Sequence, residues 1–203
     1  MSEQCCAPSP PGADRRYERI LWVALFANAA MFFVELAASA YSGSSALAAD
    51  AADFLGDTGN YALSLGALAA GGAWMSRAAL AKGWTMALYG TGVLAYAAWR
   101  ALAGVPPEPY TMGAVAFAAL GVNFSVAALL FRYREGDANM RSVWLCTRND
   151  VIGNLAVLAA AAGVLGTGTV WPDVAVAALL ASLGLVSGSA VIGHARVELG
   201  RER

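Results

Sequence analysis

The stretch ALAADAADFLGD, residues 46–57, sets three aspartates in a run of otherwise apolar and small residues. At 100° per residue, Asp50, Asp53 and Asp57 fall on one stripe of a helix, at about 0°, 300° and 340°. The rest of that helix surface is apolar. This pattern predicts a helix inside a membrane-embedded bundle, with its carboxylates directed towards the interior.

The composition of the whole chain indicates a membrane protein. Hydrophobic residues make up 59% of the 203 residues and charged residues 13%, which is too little polar surface for a soluble domain. A spanning helix needs about 20 apolar residues, and six stretches qualify. They are residues 20–41, 46–74, 83–103, 111–131, 143–165 and 174–194. The short polar joints between them are typical of antiparallel neighbours.

The basic residues predict the orientation of these spans. In a six-span arrangement, every lysine and arginine except Arg100 and Arg148 falls on the side of the N-terminus. The positive-inside rule then places both termini in the cytoplasm. The predicted fold is an all-α membrane protein with six transmembrane helices in one compact bundle over residues 20–194. Cytoplasmic tails are expected at residues 1–19 and 195–203.

Charge and cysteine content narrow the class further. The net charge of −1 gives no sign of a nucleic-acid partner. Cys5, Cys6 and Cys146 are odd in number, with two adjacent, unlike a secreted disulfide framework. We therefore expect reduced thiols, and we place Cys5 and Cys6 in the N-terminal tail. The short loops favour a bacterial inner membrane as the location of this multi-pass protein.

A second helix offers chemistry that complements the aspartate stripe. In the fifth span, Cys146 and Asp150 lie at positions i and i+4, and Asn154 continues the same face. Two helices with such pairs can surround one ion. Three oxygens and one sulfur suit tetrahedral zinc and tolerate cadmium or cobalt. The predicted metal ligands are Asp53, Asp57, Cys146 and Asp150.

Two simpler interpretations compete with a metal site. Arg148 could neutralise a neighbouring acid, and Cys146 could be a small buried hydrophobe. However, one cation cannot neutralise four acids. Each ionisable residue in a span costs about 2.5 to 3.5 kcal/mol on insertion scales, so such residues usually face an interior pathway or a partner. The sequence therefore favours an ion site.

The same acids suggest a mechanism. Carboxylates that are crowded in a medium of low dielectric tend to hold protons, whereas a metal requires them deprotonated. One site can then bind metal and protons in turn, as in an alternating-access exchanger. An intramembrane aspartyl protease fits the surplus acids and the cysteine poorly, so no enzyme activity is expected.

Two segments resemble the cation diffusion facilitator family. They are SGSSALAADAADFLGD at residues 42–57 and NMRSVWLCTRNDVIGN at residues 139–154. Members are six-helix transporters that exchange zinc, cadmium, cobalt, iron or manganese for protons. The resemblance implies that Asp53, Asp57 and Asp150 occupy ligand positions. Cys146 stands where histidine is usual.

The resemblance also covers isolated polar residues and the WPD segment at residues 171–173. The predicted auxiliary residues are Asp50, Glu35, Asn28, Asn123 and Asn154. Members commonly carry a cytoplasmic domain after the sixth span, but this chain stops about ten residues beyond it. We therefore expect a member without that domain, in which any homodimer forms through transmembrane helix faces.

The predicted function is export of a divalent metal, Zn²⁺ or else Cd²⁺ or Co²⁺, from the cytoplasm by exchange with protons through a tetrahedral intramembrane site. The metal is the transported substrate, and no cofactor is expected. The expected partners are the metal ion, protons and the lipid bilayer. The alternative is a membrane metal-binding receptor or accessory protein that does not transport. Metal flux into sealed vesicles separates the two functions.

Overall fold

The computed structural model describes residues 15–69, 73–135 and 138–201. Each predicted span corresponds to one helix within these residues. The helices are α1 (Arg15–Ser42), α2 (Ser45–Ala69), α3 (Ala73–Ala103), α4 (Pro109–Leu130), α5 (Ala138–Thr167) and α6 (Trp171–Arg201), with a 3₁₀ turn at Phe131–Tyr133. The prediction of an all-helical fold is confirmed for the described residues.

The predicted joint between the second and third spans is misplaced. The second span was expected to run to Trp74 and the third to begin at Gly83, but α2 ends at Ala69 and α3 already begins at Ala73. The sequence is apolar on both sides of Gly71 and Gly72, so hydropathy does not mark the change of helix. The predicted N-terminal tail, with Cys5 and Cys6, lies outside the described residues.

The distribution of side chains is that of a membrane protein. In the described residues, four helices are long and apolar enough to cross a membrane: Arg15–Ser42, Pro109–Tyr133, Val143–Thr167 and Trp171–Gly200. Along α1, Phe26 and Phe33 are 63% and 66% exposed, whereas Asn28 and Glu35 are fully buried. Apolar groups outside and polar groups inside suit a hydrocarbon solvent.

Helix α2 lies at the centre of the bundle and packs against α1, α3, α5 and α6. Helix α4 packs between α1 and α5, and α5 also contacts α6. The most extensive pairing joins α3 to α6. The aspartate stripe of α2 is therefore surrounded by other helices.

The α3–α6 pair depends on two glycines that face each other. A Cβ added at Gly83 would lie 2.7 Å from Cγ1 of Ile192 and 3.1 Å from the carbonyl oxygen of Gly188. A Cβ added at Gly188 would lie 3.1 Å from the carbonyl oxygen of Gly83. Such small residues let two helix backbones approach closely inside a membrane.

Gly83→Ala is expected to destabilise the protein by about 1 to 3 kcal/mol, because the added methyl group overpacks this crossing. Gly92→Ala is the matched control on the same helix, since a Cβ there meets nothing within 4 Å. That change should stabilise by up to about 1 kcal/mol through helix propensity. Thermal melting in detergent measures both. Equal melting temperatures for the two variants would contradict this account of the crossing.

Two apolar clusters occupy the two ends of the bundle. Near the start of α1, the cluster includes Tyr17, Leu21, Tyr61, Leu130 and Val143. At the opposite end, the cluster includes Leu47, Val93, Met112, Val157 and Leu180. Between them, α1, α2, α4 and α5 all contribute polar side chains. We call these the polar layer: Asn28, Glu35, Asp50, Asp53, Asp57, Asn123, Asp150 and Asn154.

The turns at the opposite end hold the helices in register. Buried Asp173, at the start of α6, accepts hydrogen bonds from Ser44 Oγ (2.6 Å), Ser45 N (2.8 Å), Ser45 Oγ (2.6 Å) and Ala46 N (3.0 Å). Its carboxylate thus caps the N-terminus of α2 from another helix. Gly43 makes the preceding turn at φ +73°, a conformation that favours glycine.

Glu108 caps α4 at the same end of the bundle. Its carboxylate accepts hydrogen bonds from the backbone N–H groups of Tyr110 (2.9 Å) and Thr111 (2.6 Å). Hydrogen bonds from Thr111, and then from the backbone of Tyr110, lower the pKa of Glu108. The group therefore stays ionised and favourably placed at a helix N-terminus.

Candidate functional site

The acids of α2 and α5 meet at the middle of the polar layer. The carboxyl groups of Asp57 and Asp150 lie within hydrogen-bonding reach of each other. Asp57 is only 6% exposed. Two carboxyl groups so close together need a proton or a cation between them, because both are acceptors when ionised. The structure thus joins two predicted ligands that are 93 positions apart in the sequence.

Asp53 lies beside this pair and faces α5. It is within electrostatic range of both Asp57 and Asp150. A Cβ added at Gly153 would lie 3.9 Å from Asp53 Oδ2, so the glycine brings the α5 backbone close to this carboxylate. Three of the four predicted ligands therefore form one acidic group across the α2–α5 interface.

Two hydroxyl groups lie next to the acids, on the side that faces the end of the bundle where α1 begins. The Tyr61 hydroxyl lies 3.3 Å from Asp57 Oδ2, to which it can donate, and 2.8 Å from Thr147 Oγ1. The Thr147 hydroxyl donates to the carbonyl oxygen of Val143 at 3.1 Å. Tyr61 and Val143 also belong to the apolar cluster at that end. The acids are thus next to a pair of hydroxyl groups at the edge of the apolar cluster.

The fourth predicted ligand differs from expectation. Cys146 is disulfide-bonded in the structure, whereas the sequence predicted a reduced thiol. A disulfide sulfur is not a thiolate and cannot serve as the expected soft ligand. Cysteine pairing is a tertiary property that spacing in this chain did not reveal. Cys146 can complete the predicted site only when it is reduced.

Arg148 does not neutralise the acids. Its side chain is exposed, lies over the Trp144 ring at 5.5 Å and donates to Asn149 Oδ1 at 3.4 Å. A cation that does lie near the acids is on α3. Lys82 donates to Asn60 and lies within electrostatic range of Asp57.

Four of the predicted auxiliary residues form one network of polar contacts, and the fifth, Asn28, lies apart from it. Asn123 Nδ2 donates to Asn154 Oδ1 at 3.0 Å, and Asn154 Nδ2 donates to both oxygens of Asp50, at 3.0 and 2.8 Å. Glu35 contacts Asp50 through its carboxyl group. Asn28 is separate, since its amide donates to the carbonyl oxygen of Ala24 in its own helix at 2.8 Å.

The predicted ligands are neighbours without forming a finished metal cage. Across the described part of the chain, no three His, Cys, Asp or Glu side chains are arranged so that they could hold a metal ion. Asp57 and Asp150 are in contact, Asp53 lies alongside and Cys146 is bonded elsewhere. The role of these four residues as ligands stays a prediction.

Three residues of the site were not predicted: Tyr61, Thr147 and Lys82. Tyr61 follows Asp57 by four positions and so continues the aspartate stripe, a signal that was present in the sequence. Thr147 precedes Asp150 by three positions, so the same helical spacing could have identified it. The approach of Lys82 from α3 depends on helix packing and had no such signal.

The comparisons with known proteins give one match. The family model of the cation efflux transmembrane domain matches residues 21–199, which includes all of the polar layer. No curated protein sequence matches the chain closely enough to count as a relative.

Proposed function

Because the chain belongs to the cation efflux family, whose members are membrane transporters of metal cations and not enzymes, we propose that it exports Zn²⁺ from the cytoplasm in exchange for protons. Cd²⁺ and Co²⁺ are the competing substrates. The observation that carries this proposal is the contact between Asp57 on α2 and Asp150 on α5, in a polar layer between two apolar clusters.

The donor set supports a zinc-like ion. Asp53, Asp57 and Asp150 supply carboxylate oxygens, and Cys146, once reduced, can add one sulfur. Zn²⁺ accepts four such ligands in a tetrahedron, whereas Mg²⁺ and Ca²⁺ prefer more oxygens and no thiolate. The small ligand number therefore favours zinc over the alkaline-earth ions.

The same group supports exchange with protons. A metal displaces protons from carboxyl groups because it binds their ionised form, and protonation displaces the metal in turn. Asp57 and Asp150 already lie so close that they need a proton or a cation between them. Binding of zinc in the proposed cycle releases the proton to water on the cytoplasmic side.

The two apolar clusters supply the barriers that such a cycle needs. The polar layer lies between them, so an ion in that layer is separated from both ends of the bundle. Transport requires the clusters to open in alternation, while the acids stay in place. In the proposed orientation, the cluster with Tyr61 opens to the cytoplasm.

The test is zinc-driven proton movement in sealed proteoliposomes that contain a pH-sensitive dye. Zinc, cadmium and cobalt are each expected to move protons, and magnesium is not. Zinc that binds to the protein without any flux of metal or protons would overturn the transporter and favour a metal-binding receptor. Empty liposomes measure passive leakage.

Cys146→Ser, assayed under reducing conditions, tests the sulfur ligand. The variant is expected to keep transport but to lose about tenfold in preference for cadmium over manganese, because a hard oxygen replaces a soft thiolate. Replacing both Cys5 and Cys6 by serine is the matched control and should leave the preference unchanged. An unchanged preference in Cys146→Ser would remove the sulfur from the proposed site.

A further inference from the structure

Glu35 is a fully buried acid that the proposed metal site does not use. It lies on α1 with 0% exposure. Neither of its carboxyl oxygens receives a hydrogen bond from any donor in the described residues. A buried carboxyl group without a donor is costly unless it carries a proton or binds a cation.

The group that faces Glu35 is another acid. The Glu35 and Asp50 carboxyl groups lie within hydrogen-bonding reach of each other. Asp50 is 1% exposed, and the Asn154 amide donates to both of its oxygens. Asn154 is itself held by the amide of Asn123. The two asparagine amides therefore hold Asp50 in position. They supply no donor to the contact between Asp50 and Glu35, which still needs a proton or a cation.

Two carboxyl groups are too few to hold a metal ion in a closed site, since zinc takes four ligands and calcium more. No third His, Cys, Asp or Glu in the described residues completes such a set around them. One proton, by contrast, satisfies a carboxyl and carboxylate pair, because it converts one acceptor into a donor. Asp50 lies two helical turns from Asp57, about 10 Å along α2, so the pair is separate from the contact between Asp57 and Asp150, and Asp53 is the predicted ligand that lies between the two.

We propose that Glu35 and Asp50 share one proton and form a proton site separate from the metal ligands. This inference rests on the proposed exchange. When zinc binds at Asp57 and Asp150, its charge in a medium of low dielectric disfavours the shared proton. The O–H bond then breaks, and the proton passes to water. When zinc leaves, a proton from water binds the pair again.

A cavity lies close to the pair on one side. A cavity of about 770 Å³ opens between α1, α2 and α3 at the end of the bundle opposite the α1 start, and its lining includes Leu36, Ala48, Tyr89 and Arg100. Tyr89 also lies within electrostatic range of Glu35. Tyr89 thus connects the cavity lining with the pair. In the proposed orientation this end of the bundle faces away from the cytoplasm, so the cavity lies on the side from which a proton binds the pair again after zinc leaves.

Several other titratable groups face this pair and belong in any account of its pH dependence. Asp53 on α2 and Tyr89 on α3 face Glu35, and Asp150 on α5 lies within electrostatic range of Asp50. From α4 the neighbour is Asn123, which is not titratable. The variants that test the pair therefore change only Glu35 or Asp50 and leave these neighbours in place.

The first measurement counts the protons released per zinc bound by the solubilised full-length protein in weak buffer. Glu35→Gln and Asp50→Asn are each expected to release one proton fewer than the wild type. The double variant should also release only one fewer, because the two residues share a single proton. Glu35→Asp, which retains the carboxyl group, should restore the wild-type count. Glu198→Gln, at an exposed acid, is the matched control.

The second measurement does not need zinc binding or transport. It compares the infrared spectra of metal-free wild type and variants in the region where protonated carboxyl groups absorb. Glu35→Gln and Asp50→Asn should each lose the same absorption component relative to the wild type. If the wild type fails to bind zinc, the proposed function fails while this band still tests the pair. Zinc affinity in both variants should fall by about tenfold without being lost, because a group that releases its proton when zinc binds strengthens that binding by linkage.

Three results would overturn the shared proton. They are an unchanged proton count and infrared band in Glu35→Gln, a double variant that releases two protons fewer, and loss of zinc binding in either single variant that melts like the wild type. The last result would make Glu35 or Asp50 a metal ligand. A variant that fails to fold is replaced by the other member of the pair, since both remove the same proton.

Discussion

Asp150→Asn is expected to lower zinc flux into proteoliposomes on the order of a hundredfold, because it removes one of two carboxylates that meet across the α2–α5 interface. Asparagine keeps the size of the side chain, so the loss reports the missing charge and ligand oxygen. The measurement is zinc-dependent fluorescence inside vesicles at equal protein content. Asp57→Asn should give the same result, since the metal requires both helices.

The stability of Asp150→Asn should move in the opposite direction. The new amide can donate to Asp57 without a proton or a cation between the two side chains, and we expect a gain of about 1 kcal/mol. Asn149→Ala, one position away on α5, is the matched control and should transport zinc like the wild type. Undiminished flux in both Asp150→Asn and Asp57→Asn would exclude these acids as the metal site.

Asp173→Ala is expected to destabilise the protein by at least about 3 kcal/mol. It leaves four buried donors of Ser44, Ser45 and Ala46 without their acceptor, and each buried unpaired donor costs about 1 to 3 kcal/mol. The N-terminus of α2 also loses its cap. Thermal melting in detergent, followed by tryptophan fluorescence, measures the effect.

Graded variants at this cap separate its hydrogen bonds from general packing. Asp173→Asn keeps one acceptor oxygen and should lose less stability than Asp173→Ala. Ser45→Ala removes a single hydroxyl donor together with its need for an acceptor, so its loss should be the smallest of the three. If Asp173→Ala melts at the wild-type temperature, the cap does not hold the helices together.

The cap and the acids lie on the same helix, which links stability to function. Asp173 fixes the first residues of α2, and Asp50 follows only five positions after Ser45. A shift of α2 along its axis would separate Asp57 from Asp150 and Asp50 from Asn154 together. Folded Asp173→Asn is therefore expected to transport zinc more slowly, although Asp173 contacts neither pair.

Local patterns in the sequence determined the number and type of elements. Apolar runs about 20 residues long marked each of the six helices, and the 3.6-residue period placed Asp50, Asp53 and Asp57 on one face. The same period shows that Arg148, two positions before Asp150, is on a different face from that acid. The error at Trp74 arose because two apolar helices adjoin without a polar joint.

Contacts between helices were decided only by the tertiary structure. Which acid faces which depends on the rotation and axial register of each helix, and these are set by distant features such as the Gly83–Gly188 crossing and the Asp173 cap. Asp57 meets Asp150 and Glu35 meets Asp50 for this reason. Hydrophobic periodicity fixes what a helix presents on each face. Close packing against its neighbours fixes what that face touches.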